Sequence, residues 1–308
     1  MTTALITHPD CASHITPPGH PEQVARLDAI LTALESLDLL RASAPMGAEA
    51  DVLRAHPKAH IDALRAADPD QGIVQLDPDT WMSPGSLAAA WRGVGAVTRA
   101  VDMVLGGEVT NAYCAIRPPG HHAEKETPMG FCLFGNVAIA AKYALDHHGL
   151  SRVAIVDFDV HHGNGTQDLV QEDPRILFVS SHQMPLYPGT GDPSDTGDHD
   201  TVLNIALREG TEGPEFRQIY ETLVFPRIEA FAPDLILVSA GFDAHRADPL
   251  AGINLETEDF AWVTGRICDL AEKLCAGRVV SAQEGGYDLE ALGASAFAHV
   301  NVLKERGR

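Results

Sequence analysis

Residues 152–166 read Arg-Val-Ala-Ile-Val-Asp-Phe-Asp-Val-His-His-Gly-Asn-Gly-Thr. The apolar run at the start of this stretch is rich in β-branched residues and predicts a buried strand. Beyond it, Asp157, Asp159 and His161 alternate at a period of two, which places them on one side of an extended chain. Buried carboxylates need a positive partner, and Asp oxygen and neutral His nitrogen are ordinary zinc ligands. The stretch therefore predicts a metal site, with a solvated strand end as the alternative.

The composition is typical of a soluble globular protein, because 45% of the 308 residues are hydrophobic and 21% are charged. The sequence contains neither an apolar stretch of membrane-spanning length nor a signal-peptide pattern, so we expect a cytoplasmic protein without a membrane partner. The five scattered cysteines indicate reduced thiols. A formal net charge of −21 argues against binding to nucleic acid phosphates. The acidic surface would either attract a cationic partner or serve solubility alone.

Strands and helices alternate along the chain, and this alternation predicts an α/β fold with a mainly parallel sheet covered on both faces. We expect a single three-layer domain over residues 1–308 with about eight strands. A Pro inside a helical pattern interrupts it, so Pro226 should kink the helix over 215–231. Strands are predicted at 5–8, 112–116, 152–158, 176–181, 202–207, 234–240 and 278–283, and further helices at 58–67, 137–147 and 258–274.

Four further segments have local signals. A helix with an apolar face is predicted to begin at Pro21, which suits the first helical position. Another should begin at Ser83-Pro84, with Ser as its cap, and end at Gly106-Gly107. Residues 68–80 are rich in Pro and Asp and predict a loop. His147-His148 suits a helix end, where His favours the dipole, and has a structural interpretation.

The segments that follow the strands are polar or rich in glycine. Ligands of open α/β sheets bind outside the carboxyl ends of the strands, so these segments should meet at one edge. They contain His121-His122, Asp159 with His161, His182 with the loop 185–191, Asp243, and Glu284 with Tyr287.

Together these segments resemble the zinc-dependent histone deacetylase family, and are most similar to its class II branch and its bacterial amidohydrolases. The resemblance runs in order from about His8 to the C-terminal region and implies an arginase/deacetylase-like fold. The motifs that carry it are Arg117-Pro-Pro-Gly-His-His122, Gly130-Phe-Cys132, Asp157-x-Asp159-x-His161-His-Gly-Asn-Gly-Thr166, Tyr187-Pro-Gly-Thr-Gly191, Ser239-Ala-Gly-Phe-Asp243 and Glu284-Gly-Gly-Tyr287.

The resemblance implies that Asp159, His161 and Asp243 bind a catalytic zinc ion, with positions left open for water and substrate. The same ligand set suits iron(II), so the metal in the cell is left open. The resemblance also implies a structural potassium ion beneath the zinc site. Its ligands would be Asp157, Ser180 and Ser181, with the main chain of Asp159 and His161.

The family's catalytic residues fall on five positions of this sequence. His122 would act as general base and then general acid, with electrostatic help from His121. Asp157 would orient His121 and Asn164 would orient His122, and because Asn has no charge, the two histidines should differ in basicity. Tyr287 would donate a hydrogen bond to the developing oxyanion.

The resemblance further implies a narrow tunnel for the stem of an acyl-lysine. Gly130, Phe131 and Tyr187 would line it, although ordinary core packing is the alternative for these three residues. Asp79 is expected at the rim, where it would bind the substrate main chain. Leu250 occupies the position at which polyamine-selective relatives have a Glu, so acyl-lysine is favoured over acetylpolyamines.

The expected activity is therefore removal of acetyl or other acyl groups from an acyl-lysine of a protein or peptide, or from a related small amine. Three alternatives stay open: an acetylpolyamine deacetylase, a binuclear manganese ureohydrolase, and a catalytically silent acyl-lysine binding module. The oligomeric state is also open, and a homo-oligomer is compatible with the sequence. His14, His20, His56 and His60 have no spacing that indicates metal ligands.

Overall fold

The computed structural model describes residues 2–307. In chain order its elements are β1 (Thr3–Thr7), a 3-10 helix (Pro9–Ser13), α1 (Ala25–Ala33), β2 (Leu40–Ser43), α2 (Glu49–Val52), α3 (Lys58–Ala67), β3 (Val74–Asp77), β4 (Thr80–Met82), α4 (Ser86–Leu105), β5 (Asn111–Cys114), α5 (Asn136–Asp146), β6 (Val153–Asp157), α6 (Asn164–Val170), β7 (Ile176–Gln183), β8 (Val202–Leu207), α7 (Gly213–Ile219), a π-helical segment (Tyr220–Val224), α8 (Phe225–Phe231), β9 (Leu235–Ala240), α9 (Thr257–Cys275), β10 (Val279–Gln283) and α10 (Leu289–Arg306).

Eight strands form one sheet in the order β2-β1-β5-β10-β9-β6-β7-β8, and all neighbouring strands are parallel. Helices α4 and α5 pack against one face, while α9, α10 and α1 cover the other. The inner strands β5, β6, β9 and β10 are buried along their whole length, as expected for a sheet covered on both faces. The predicted three-layer α/β architecture is confirmed.

The prediction of a loop over residues 68–80 was wrong. Val74–Asp77 and Thr80–Met82 pair as an antiparallel hairpin outside the main sheet. Its strands have only four and three residues, so the alternation of Val74-Gln-Leu-Asp77 is too short to stand out among turn-forming Pro and Asp. Strand β2 was also missed, because it is a largely exposed edge strand. The C-terminal helix α10 had no prediction at all.

Helix α4, which precedes Gly106-Gly107, begins later in the chain than predicted. Its first residue is Ser86, and its N-cap is Gly85 with φ of 96°, so the predicted Ser83 cap was wrong. The predicted end at Gly106 is confirmed. The predicted interruption near Pro226 is also confirmed, because a π-helical segment separates α7 from α8, which has this Pro in its first turn. None of the helices within residues 2–307 combines the length and apolarity needed to cross a membrane.

Candidate active site

Asp159, His161 and Asp243 meet where β6 and β9 end, and all three side chains are buried. The Nδ1 atom of His161 lies 3.1 Å from Asp159 Oδ1 and 3.1 Å from Asp243 Oδ2. One potential ligand atom from each residue lies within 4.8 Å of the others. The structure therefore brings together the three residues that the sequence predicted as metal ligands.

Main-chain amides hold the two carboxylates in place. Gly285 N donates to Asp159 Oδ2 at 2.8 Å, and Val160 N donates to Asp243 Oδ1 at 2.9 Å. A Cβ atom at Gly285 would collide with both carboxylates, and one at Gly241 would collide with that of Asp159. Glycine at both positions therefore lets the backbone close around the carboxylates.

The electrostatics of this group favour a cation. Burial alone would lower the pKa of His161, but hydrogen bonds to Asp159 and Asp243 raise it to about 10. A proton at Nδ1 thus compensates two buried carboxylates, which are costly to bury without positive charge. Two carboxylates and one imidazole are a donor set that zinc or iron(II) accepts. The residues could hold one divalent metal ion in place of that proton.

The tandem histidines follow β5, and their ring centroids lie 4.0 Å apart. His121 Nδ1 is 3.0 Å from Asp157 Oδ2, whereas His122 Nδ1 is 2.7 Å from Asn164 Oδ1. Burial opposes charge on both rings, but Asp159 and Asp157 hold the pKa of His121 well above its ordinary value. Burial and the positive charge of His121 hold the pKa of His122 well below it. His122 is therefore the neutral member of the pair.

Glu124 orients the amide of Asn164, a role that the sequence did not reveal. The amide nitrogen of Asn164 donates to Glu124 Oε1 at 2.8 Å, so its oxygen faces His122. His122 Nδ1 must then carry the proton that it donates, which leaves a free lone pair on Nε2. A chain of two hydrogen bonds connects the imidazole to a carboxylate through an uncharged amide.

Tyr287 is half-buried, and two residues hold it in position. Asp248 Oδ2 accepts a 2.7 Å hydrogen bond from Tyr287 N. The guanidinium of Arg26 lies 4.8 Å from the centre of the Tyr287 ring. Burial raises the pKa of Tyr287 well above its usual value, although Arg26 opposes this change. The hydroxyl therefore stays protonated and can act as a hydrogen-bond donor.

A buried ion cluster lies behind Tyr287. Glu22 Oε1 accepts from Arg117 Nε at 2.5 Å and from Arg26 Nη1 at 3.0 Å. His14 Nε2 is 3.4 Å from Glu22 Oε2. Although burial opposes ionisation, Arg117 holds the pKa of Glu22 far below its ordinary value. The sequence contains one indication of this cluster. Arg117 directly follows a strand predicted to be buried, and a charged residue at such a position needs a partner of opposite charge.

Glu284 is another residue whose role the sequence did not reveal. Its Oε2 atom accepts from Gly120 N at 2.6 Å and from His121 N at 3.1 Å, and its Oε1 atom accepts from Ser239 Oγ at 3.3 Å. Burial raises the pKa of Glu284 to about 7, although the charge of His121 opposes this change. Through its hydrogen bonds to Gly120 and His121, the Glu284 side chain fixes the turn that carries the tandem histidines.

A narrow cavity of about 200 Å³ leads to these residues. Two residues in the left-handed region shape its wall, Gly130 with φ of 54° and Phe131 with φ of 70°. A Cβ atom at Gly130 would collide with the ring of His122, so glycine is required there. All five predicted substrate-binding residues line this cavity: Asp79, Gly130, Phe131, Tyr187 and Leu250. The other lining residues are His122, His161, Leu186 and Tyr287.

Asp79 lies in the turn of the β3–β4 hairpin, and its side chain is used locally. Its Oδ1 atom accepts from Gly130 N at 3.1 Å and from Thr80 Oγ1 at 2.9 Å. The hairpin is thereby fixed to the cavity wall. The predicted contact with a substrate main chain stays a prediction.

The predicted potassium ligands lie on β6 and β7, where Asp157 pairs with Ser180 in register. Ser180 Oγ is 3.0 Å from His182 Nδ1, and Ser181 Oγ is 2.8 Å from Tyr220 Oη. Both hydroxyls are thus engaged by other side chains. A potassium ion here would depend on main-chain carbonyls, and the assignment stays a prediction.

The chain is similar to proteins named as deacetylases. Residues 20–303 match a family model described as "Histone deacetylase domain". "Histone deacetylase 10, chloroplastic" of Oryza sativa subsp. japonica is 40% identical over 90% of this chain and 68% of its own. "Histone deacetylase-like amidohydrolase" of Pseudomonas aeruginosa is 39% identical over 87% of this chain and 73% of its own. A crystal structure of an HDA15 HD domain has a TM-score of 0.94 and 31% identity, covering 99% of this chain and 88% of that one.

Proposed function

Because the chain belongs to the histone deacetylase family and is a hydrolase, we propose that it removes acetyl groups from acyl-lysine side chains with a bound metal ion. One observation carries the proposal. The buried group of Asp159, His161 and Asp243 lies beside a narrow cavity that His122 and Tyr287 also line. Metal ligands, a general base and an oxyanion donor thus face one small space, as hydrolysis of an amide by activated water requires.

Asp159, His161 and Asp243 would hold the metal ion, and zinc is the ion we favour. When bound, it would polarise the acyl carbonyl and lower the pKa of a water molecule. Three protein ligands leave positions open for both, as in other catalytic zinc sites. His161 would bind the ion as the neutral imidazole, because a ligand nitrogen must be free of its proton.

The proton transfers are assigned to His122. Its neutral ring accepts a proton at Nε2 from the attacking water, since Nδ1 already donates to Asn164. The same proton then passes to the amine that leaves. His121, held charged by Asp157, supplies positive charge beside the reacting carbonyl. The hydroxyl of Tyr287 donates to the carbonyl oxygen as negative charge develops there.

The cavity supports an acyl-lysine as the substrate more than an acetylpolyamine. Its wall contains Phe131, Leu186, Tyr187 and Leu250, which suit the methylene stem of a lysine. Asp79 is the only carboxylate of this wall, and it accepts hydrogen bonds from Gly130 and Thr80. Leu250 offers no charge to a distal ammonium group. A cytoplasmic location stays a prediction, and the rice relative carries the word chloroplastic in its name.

The decisive experiment measures release of acetate from an acetyl-lysine peptide by the purified protein. We expect activity that a chelator abolishes and added Zn²⁺ or Fe²⁺ restores, about one metal ion per chain, and loss of metal in Asp243→Ala. Activity that survives complete metal removal would contradict the proposal. Two manganese ions per chain with release of urea would instead support the ureohydrolase alternative, and binding of the peptide without turnover would support the silent module.

A further inference from the structure

A second group of metal-ligand side chains lies where α4 and α5 end. Asp102 belongs to the last turn of α4, and His147 and His148 directly follow α5. These helices lead into β5 and β6, whose carboxyl ends carry the catalytic residues. The helix ends therefore lie at the opposite edge of the parallel sheet, away from the catalytic cleft.

The geometry of this group is well defined. Asp102 Oδ1 lies 2.8 Å from His148 Nε2, and it accepts a hydrogen bond from Tyr143 Oη at 2.9 Å. The ring of His147 stacks on that of Tyr143, with centroids 4.7 Å apart and planes at 12°. One potential ligand atom each from Asp102, His147 and His148 lies within 4.8 Å of the others.

We propose that Asp102, His147 and His148 form a second metal site, which binds a divalent transition-metal ion such as Zn²⁺, Cu²⁺ or Ni²⁺. Two imidazoles and one carboxylate suit these ions and disfavour Mg²⁺ and Ca²⁺. Tetrahedral zinc with bonds of about 2.0–2.1 Å places its ligand atoms roughly 3.3 Å apart. That spacing lies between the 2.8 Å that separates Asp102 from His148 and the 4.8 Å within which all three ligand atoms lie. Water molecules would complete the coordination.

An ion pair between Asp102 and His148 is the simpler account, but it leaves His147 unexplained. The ring of His147 packs on Tyr143 and His148 and forms no side-chain hydrogen bond within residues 2–307. Stacking nevertheless fixes this ring beside the carboxylate. The hydroxyl of Tyr143 orients Asp102, as residues around metal ligands commonly do.

The surroundings also favour a cation. His147 and His148 lie at the C-terminus of α5, and the partial negative charge of a helix C-terminus attracts positive ions. The chain has a formal net charge of −21, which concentrates cations at its surface. Both histidines are exposed, so a metal ion can reach the site directly from the solvent.

The test uses the holoenzyme with its resident metal ion, freed of excess ions and titrated with Zn²⁺ and, separately, with Ni²⁺ by calorimetry. We expect one equivalent to bind beyond the resident metal. His148→Ala and Asp102→Asn should weaken this binding at least tenfold, which corresponds to about 1.4 kcal/mol. His199→Ala, which removes an exposed histidine of another loop, is the matched control and should bind like the wild type.

Because the site is remote from the cleft, kcat/KM should be unchanged in His148→Ala. Circular dichroism of each variant would verify that it folds, and Zn²⁺ should raise the melting temperature of the wild type but not of His148→Ala. The proposal is overturned if the wild-type holoenzyme binds no further equivalent. It is equally overturned if His148→Ala and Asp102→Asn bind that equivalent as tightly as the wild type.

Discussion

Arg26 binds two main-chain carbonyls just before Tyr287 and also packs against the Tyr287 ring. Its Nη2 atom donates to the carbonyl of Glu284 at 2.5 Å and its Nε atom to that of Gly286 at 2.6 Å, while the guanidinium packs on the Tyr287 ring. Arg26 is itself anchored by Glu22 in the buried ion cluster. The position of the hydroxyl is therefore set by a residue near the other end of the chain.

We predict that Arg26→Lys lowers kcat about 10- to 100-fold, because lysine keeps the charge but cannot bind two carbonyls with one planar group. KM should change little, since the cavity wall is intact. Arg41→Lys is the control, because Arg41 also binds two main-chain carbonyls but on the outer part of the fold. Steady-state kinetics of both variants provide the measurement, and equal effects would argue against a positioning role.

Tyr287→Phe should isolate the contribution of the hydroxyl. Loss of one oxyanion donor typically costs about 100- to 1000-fold in kcat. The metal content and melting temperature should stay at wild-type values, because the hydrogen bond that anchors this residue comes from its main-chain nitrogen. Tyr187→Phe, on the same cavity, serves for comparison and should retain most of the activity. A fully active Tyr287→Phe would remove this residue from the mechanism.

Glu124→Gln tests the hydrogen-bond chain that ends at His122. Removal of the carboxylate charge should lower the pKa of the His122 imidazolium, because negative charge favours the protonated ring. The acidic limb of the profile of kcat/KM against pH should therefore move to lower pH, with a several-fold loss of kcat. The exposed neighbour Glu126→Gln should leave the profile unchanged, and a shift of similar size there would indicate a general charge effect.

Stability should fall at acidic pH through His299, which is buried among Thr264, Ser281 and Tyr113. Burial lowers its pKa to about 3 from an ordinary value near 6.5. The folded pKa is depressed, so the unfolded chain binds the proton first and stability is lost as pH falls below about 6.5. At pH 5 the loss from this group should be about 2 kcal/mol.

Denaturant unfolding at several pH values measures this loss. His299→Leu should be less stable at pH 7, yet its free energy of unfolding should fall less steeply between pH 7 and pH 5. His199→Gln, at an exposed position, should keep the wild-type slope. A wild-type slope in His299→Leu would mean that this histidine is not the source of the pH dependence.

Leu250→Glu should shift substrate preference towards acetylpolyamines. The introduced carboxylate would stand on the cavity wall beside Tyr187, where it can pair with a distal ammonium group. We expect the ratio of kcat/KM for acetylspermidine to that for an acetyl-lysine peptide to rise roughly tenfold, which corresponds to about 1.4 kcal/mol. Leu250→Gln has a similar shape without charge and should change the ratio much less. No change with Glu would exclude Leu250 as a determinant of this preference.

The strand ends made the arrangement of this site predictable from sequence. Asp159 and His161 follow β6 and Asp243 follows β9, and the rule for parallel sheets brings such segments to the same edge. The predicted period-two alternation does not carry over to the structure, because β6 ends at Asp157 and residues 158–161 are not extended strand. Short elements such as β2 and the β3–β4 hairpin were not predicted, because alternation over three or four residues cannot be told from chance. Their pairing depends on contacts with residues distant in sequence, which cannot be inferred from a short segment alone.

The supporting residues were not predictable for a different reason. Arg26 binds carbonyls about 260 positions away, and Glu22 pairs with Arg117 at a separation of 95. Such pairs leave no periodic signal, because a lone Glu or Arg is usually solvated. Only the fold shows that these charges are buried and therefore have to meet.

Strand β10 lies between β5 and β9, and within residues 2–307 it alone joins β2-β1-β5 to β9-β6-β7-β8 in the main sheet. All the other strands precede it in the chain, so during synthesis both halves are made before they can be connected. Until β10 inserts, one edge of β5 and one of β9 stay unpaired, and such edges invite aggregation. The segment that follows β10 brings Tyr287 to the cleft. Completion of the sheet and acquisition of the full catalytic set are therefore one event, and we expect nascent chains that lack β10 to be inactive and to depend on chaperones.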